Sequence, residues 1–185
     1  MLSHKHKCIF IHQRKTAGSS IIFDFGLTPE EARWHVGNDG VSSLDPTWDE
    51  ISRQYKHYFV FAVVRNPWDR FASGWKYLRS TRDKSLIEVL THLPKEGHDY
   101  RHLARPQHIT LYDGDNLIAD ELIRFEDLQA GYDKVCDWIG KPRSQLLTLN
   151  KTRHEHYRHY FDNSEARALF EARFSRDIEL FGYEF

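Results

Sequence analysis

The chain is expected to fold as an α/β protein, one domain over residues 1–185 with a central parallel sheet flanked by helices. Short, continuous apolar runs recur, as at Cys8–Ile11 and Val60–Val64. That is the pattern of strands buried on both faces of a parallel sheet. A helical stripe follows each run, so strands and helices alternate. A length of 185 residues supports one good core.

Residues 8–12 read as the first strand and 18–26 as a helix behind it. Thr28-Pro29-Glu30-Glu31 is a capping box with Pro at the first helical position, and predicts a short helix to about Trp34. Residues 35–45 read as a polar loop, and Asp45-Pro46 starts another short helix ending near Tyr55. The second strand is 58–64. Asn66 then caps a helix over 67–79, with Pro67 at its first position and Trp68, Phe71, Ala72, Trp75 and Leu78 as its apolar stripe. Asp83 is expected to cap a helix through Leu93. The stretch 94–108 has no clean period and is rich in His, Arg and Pro, which predicts a mobile surface loop. A third strand over 121–125 leads into a helix over 126–139. Its face carries Leu128, Tyr132, Val135, Cys136 and Ile139, and Gly140 and Pro142 stop it. One or two helices over 163–181 bury Ala166, Leu169, Phe170, Phe174, Ile178 and Phe181.

Composition narrows the function. Twenty-six basic residues against 27 acidic ones give a net charge of −1, so no global field attracts nucleic acid or membranes and any anion site must be local. Two cysteines, Cys8 and Cys136, lie in apolar patterns and read as reduced core residues. No apolar run approaches the ~18 residues of a transmembrane segment, and no signal peptide is visible. A cytoplasmic protein is the simplest expectation. Twelve histidines raise the question of a metal, but they scatter, and neither His98/His102 nor His154-Glu155-His156 comes with a Cys-x-x-Cys or a His-Glu-x-x-His pattern. No metal is expected.

Two segments carry the chemistry. In Phe10-Ile11-His12-Gln13-Arg14-Lys15-Thr16-Ala17-Gly18-Ser19-Ser20-Ile21 a strand runs into a loop of small and hydroxyl residues and then a helix. Backbone N–H groups there suit a phosphate-like anion, with Lys15 as a point charge and Thr16, Ser19 and Ser20 as hydroxyl donors. It is not a Walker A loop, because no glycine precedes Lys15. The plainer alternative is a polar strand-to-helix loop with an exposed lysine. In the second segment, Arg65 follows the strand Val60–Val64 and Ser73 lies two turns along the next helix. An arginine fork and a hydroxyl can clamp a second phosphate. Alternatively Arg65 pairs with Asp69, and Ser73 is a small packing residue.

Together these segments resemble the PAPS-dependent sulfotransferases. Ile11–Ser20 is similar to their 5′-phosphosulfate loop, and Val64-Arg65-Asn66-Pro67-Trp68-Asp69-Arg70-Phe71-Ala72-Ser73 to their 3′-phosphate motif. Leu122-Ile123-Arg124-Phe125-Glu126-Asp127-Leu128 and the tail Asp177–Phe185 are similar to the carbohydrate branch, that of the heparan 2-O-like and bacterial enzymes. The likeness runs from Phe10 to Phe185. Gln13-Arg14 is a departure, since a Pro often precedes the lysine in that branch. The resemblance implies a P-loop-like fold and sulfuryl transfer from 3′-phosphoadenosine-5′-phosphosulfate (PAPS) to a hydroxyl, with adenosine-3′,5′-bisphosphate leaving. It implies a carbohydrate or glycolipid acceptor and no metal. Eukaryotic members of this type usually carry a membrane anchor; with none visible, a bacterial enzyme or a shortened chain is expected.

By the family pattern Lys15 is catalytic, stabilising charge on the bridging oxygen. Thr16, Ala17, Gly18, Ser19 and Ser20 would hold the 5′-phosphosulfate, and Arg65 and Ser73 the 3′-phosphate. His35 is similar to the catalytic base of the uronyl 2-O branch, with Glu30, Glu31 and Asp39 left as alternatives. Lys151 and Arg153, in a late basic segment, are donor-binding candidates or parts of a solvated turn. Arg124 and Glu126 read as an ion pair near the strand end. The basic and aromatic stretch 94–108 is a candidate acceptor groove through His98, Tyr100, Arg101, His102 and Arg105. Two other classes stay open, a nucleotide kinase or NTPase-like protein and a degenerate, non-catalytic module that binds sulfated glycans.

Overall fold

The computed structural model describes residues 1–27 and 48–185. The expected helix over 28–34, the loop over 35–45 and the start of the helix at Asp45 lie outside the described residues. The chain is a mixed α/β structure, and it divides into two compact units: residues 1–64 with 109–150, and residues 65–108 with 151–185.

The first unit holds the sheet. Strand β1 (Leu2–Ser3) runs antiparallel to β2 (Cys8–Ile11). Strand β2 runs parallel to β3 (Phe59–Val64), with Cys8 opposite Phe59 and Ile11 opposite Ala62. A small hairpin, β4 (Tyr112–Asp113) and β5 (Asn116–Leu117), turns at Gly114. Strand β6 (Glu121–Arg124) then joins the other side of β3 in parallel, giving the order β1-β2-β3-β6. Helices α1 (Gly18–Asp24) and α2 (Trp48–Gln54) lie between β2 and β3 in the chain. The continuous apolar strands β2 and β3 are buried almost throughout, as expected of central parallel strands. Phe10, Ile21, Phe61, Val63 and Ile123 form the core with Tyr132, Val135 and Cys136 of a later helix, Leu128–Trp138. Phe10 stacks on Phe61 with ring centroids 5.0 Å apart. Cys8 and Cys136 are both buried thiols with no disulfide, and burial pushes the Cys8 thiol up to about 12.

The second unit is helical. Helix α3 (Pro67–Tyr77) begins as its sequence predicts, with Pro67 first and the Asn66 side chain accepting from the Asp69 N–H. It ends at Tyr77, two residues short of the expected 79. Helix α4 (Leu86–Thr91) is capped by Ser85, whose hydroxyl accepts from the Glu88 N–H, and not by Asp83. The helix Leu128–Trp138, α5 of the first unit, is preceded by a 3-10 turn at Phe125–Asp127. Helix α6 (Ser164–Phe181) is one continuous helix, capped at Asn163 and closed by Gly182 in the left-handed conformation. Its inward stripe is Ala166, Phe170, Phe174, Asp177 and Phe181. Phe170 stacks on Phe174 at 4.5 Å and meets Trp68, Phe71 and Phe161 in an aromatic core.

The stretch 94–108 is at the surface over residues 95–98, but its second half corrects the reading of a surface loop. It forms two short helical turns, Gly97–Asp99 and Tyr100–Ala104, and residues 102–107 are buried. Leu103 and Ala104 are fully covered. Gly74 on α3 makes this possible: a Cβ there would sit 2.3 Å from the His102 carbonyl oxygen. A period of 3.6 was absent because the chain turns with a wider, π-type repeat and then runs irregularly, anchored by side chains instead of by a regular ladder.

Candidate active site

Loop 12–17 leaves the carboxyl end of β2, the edge at which α/β sheets bind ligands. Two of its non-glycine residues have left-handed backbones, Lys15 at φ 68° and Ala17 at φ 62°. Such conformations cost of order 1–3 kcal/mol each and persist where the surroundings hold them. Here the struts are visible. Thr16 Oγ1 donates to the Gln13 carbonyl at 2.9 Å, and the Gln13 side chain donates to Thr110 Oγ1. Gln13 is buried and fixes the start of the loop by tethering it to Thr110.

The Ala17 carbonyl accepts from Ser20 and Ile21, closing the first turn of α1. Gly18 is required by a close approach. A Cβ there would lie 1.9 Å from Cδ2 and Nε2 of His12, whose ring stacks on Phe10 at 5.7 Å. Alternating backbone hands in such a loop turn successive N–H groups inward as an anion-binding nest. Helix α1 has only seven residues, so its dipole is short.

The hydroxyls of Ser19 and Ser20 are tied to the late segment. Asn150 Nδ2 donates to Ser19 Oγ at 3.2 Å, and the Leu149 N–H donates to Ser20 Oγ at 3.3 Å. Each accepted bond leaves the serine proton as a donor. Thr16 contributes differently from expectation: its side chain is buried and its proton goes to Gln13, so its backbone N–H is what an anion would meet.

In the second unit, Arg65 follows β3 and is buried. Asp69 Oδ2 accepts from its Nε at 2.9 Å and its Nη2 at 2.6 Å, so the local pairing left open by the sequence is present. That pair fixes the fork's plane. Ser73 is buried on the same helix. Lys151 and Arg153 are exposed, and Lys151 directly follows Asn150 in the chain. His35, Glu30, Glu31 and Asp39 lie outside the described residues, so the base has no structural account. Arg124 and Glu126 are exposed. Of the proposed acceptor groove, His102 and Arg105 are buried, while His98 and Tyr77 flank His102 in a stacked column at 4.1 and 5.4 Å.

Sequence reasoning missed Gln107 and Asp177. Gln107 is fully buried, with Oε1 accepting from the Arg65 N–H at 3.0 Å and Nε2 donating to the Arg65 carbonyl at 2.9 Å. Asp177 accepts from the Gln107 N–H at 2.6 Å, and from the N–H and Nδ1 of His108 at 2.9 and 2.6 Å. The signal existed for Asp177: a carboxylate on the inward stripe of an amphipathic helix needs buried donors.

No group of side chains suited to a metal occurs among the described residues. No helix among them is long and apolar enough to cross a membrane. With the strand-end loop and the Arg65 junction in place, the family comparison is decisive. A sulfotransferase-family model matches residues 2–184, and the chain belongs to the sulfotransferase family. No curated protein and no solved structure matches it.

Proposed function

We propose that the protein transfers a sulfuryl group from PAPS to a hydroxyl of a carbohydrate or glycolipid acceptor. The observation that carries this reading is the loop after β2, in which Lys15 and Ala17 both have left-handed backbones, in a chain of the sulfotransferase family.

The donor supplies an activated sulfur with a bisphosphate leaving group. The loop's backbone N–H groups, with Ser19 and Ser20, hold the phosphosulfate and orient it. Lys15 places positive charge where the bridging oxygen gains negative charge, which lowers the barrier more than it tightens binding. Arg65 and Ser73 take the 3′-phosphate, and Lys151 and Arg153 add positive charge near the nucleotide. His35 accepts the acceptor's proton as the new O–S bond forms and the old bridging S–O bond breaks.

Calorimetry with adenosine-3′,5′-bisphosphate, AMP and ATP tests the reading. Wild type should prefer the bisphosphate, and Arg65→Ala should remove that preference, a loss of about 10- to 100-fold for hydrogen bonds to a charged group. Equal or tighter binding of ATP would point to a kinase-like protein. A folded sample that binds no nucleotide would point to a degenerate module.

A further inference from the structure

Arg65 is held from two sides. Asp69 grips its guanidinium through Nε and Nη2, and Gln107 grips its backbone through a two-point amide clasp. Such a clasp reproduces one rung of a β-ladder with a side chain. The N–H and carbonyl of Arg65 are thereby satisfied beside a buried arginine, where an unmade bond is costly. The rung is itself anchored. Gln107 is fully buried, and its own N–H is fixed by the buried carboxylate of Asp177 on α6. Asp177 also takes two bonds from His108 and lies in the field of the buried Arg70, whose guanidinium burial pulls down to about 10 while the Asp177 charge opposes that fall. Arg70 in turn donates to the Arg105 carbonyl, two residues before Gln107. Residues 105–108 are therefore pinned at each end, and the amide of Gln107 is set at a defined place against Arg65.

We infer that Gln107 is a positioning residue for recognition of the donor's 3′-phosphate. It fixes the backbone from which the Arg65 guanidinium projects, with Asp177 holding Gln107 in turn. This rests on the assignment of Arg65 to the 3′-phosphate. A fork binds a phosphate well only in a narrow range of orientations, and a fixed backbone together with Asp69 leaves the side chain few alternatives. Loosening the backbone should therefore weaken 3′-phosphate binding while leaving the rest of the nucleotide's contacts in place.

The test is a double-mutant cycle read by calorimetry with adenosine-3′,5′-bisphosphate and with AMP. Gln107→Ala should lower affinity for the bisphosphate by about 10-fold, the size of a strong pairwise coupling. Its effect on AMP should stay within about 2-fold, and in an Arg65→Ala background it should have no further effect on either nucleotide. A general structural role would instead weaken both nucleotides alike and would do so in both backgrounds; that result overturns the inference. Should Gln107→Ala fail to fold, Gln107→Glu replaces it. The carboxylate keeps an acceptor for the Arg65 N–H but cannot donate to its carbonyl, and an intermediate loss confined to the bisphosphate is expected. Unchanged discrimination in a folded Gln107→Glu protein would count against the clasp. If wild type itself does not distinguish the bisphosphate from AMP, the assignment of Arg65 fails first and the inference falls with it.

Discussion

Single atoms decide the shape of the anion loop. At Gly18 the close neighbour is the ring of His12, 1.9 Å from where a Cβ would be. A ring stacked on the core residue Phe10 cannot retreat without disturbing β2. Gly18→Ala should therefore destabilise the protein by about 1–3 kcal/mol, the usual cost of overpacking. It should also weaken nucleotide binding, because the first turn of α1 must shift. Adding His12→Ala should restore most of the lost melting temperature. A single Gly18→Ala variant that melts like wild type would show that the ring moves freely. Lys15 and Arg65 are picked out in the string by type and by their place just after an apolar run, and Ser73 by its spacing along the helix that follows. Apart from Asp69, the side chains that fix these segments are not. Gln13, Gln107 and Asp177 act across long sequence separations, and an amide or a carboxylate in a one-dimensional string does not reveal which backbone it will clasp.

At the scale of elements, helix α1 is fastened at both ends. Its first turn meets Leu149 and Asn150. Its last residue, Asp24, accepts from Tyr132 Oη at 2.5 Å, Lys141 Nζ at 2.6 Å and Ser144 Oγ at 2.7 Å. Burial alone would raise the Asp24 carboxyl, but the bonds from Lys141, Tyr132 and Ser144 outweigh it and hold the group below its ordinary value. Tyr132 responds in the opposite sense, its phenol raised by burial and by the Asp24 bond. A carboxyl depressed in the folded state adds stability that is present above its unfolded value of about 3.9 and is lost as pH falls through the folded one. The gap in melting temperature between wild type and Asp24→Asn should thus be widest near neutral pH and should close progressively below about pH 4. A gap that stays constant from pH 7 to pH 3 would mean the carboxylate's charge contributes nothing. The three parallel strands and the helices after them were predicted within a few residues, because apolar period and caps are local signals, while the two-residue strands β1, β4 and β5 were too short to show a pattern. Failure came at 94–108, whose turns are held by Gly74, Arg70 and Asp177 from elsewhere in its unit.

The whole molecule carries a net charge of −1, so nothing in its overall field draws in a polyanionic nucleotide. The two compact units meet in the chain at 64/65, 108/109 and 150/151, and no Gly-, Pro- or Ser-rich linker marks any of these places. That division arises from long-range packing, and so it could not be seen in the string. If the proposed donor is bound by both motifs, its product should act on the stability of the full chain by mass action. At a concentration of about 100 times its Kd, a ligand that binds only the folded state adds roughly 2.7 kcal/mol. For a chain of this length that corresponds to a rise in Tm of about 5–10 °C. Adenosine-3′,5′-bisphosphate should produce such a shift in the intact protein, and AMP at equal concentration a smaller one. Salt should diminish both, since the attraction between a polyanionic nucleotide and the positive groups that bind it is screened over roughly 10 Å at 0.1 M. Arg65→Ala should bring the two nucleotides to the same shift, because only the 3′-phosphate separates them. A bisphosphate shift that persists undiminished in Arg65→Ala would place 3′-phosphate recognition elsewhere, with the exposed pair Lys151 and Arg153 the next residues to substitute.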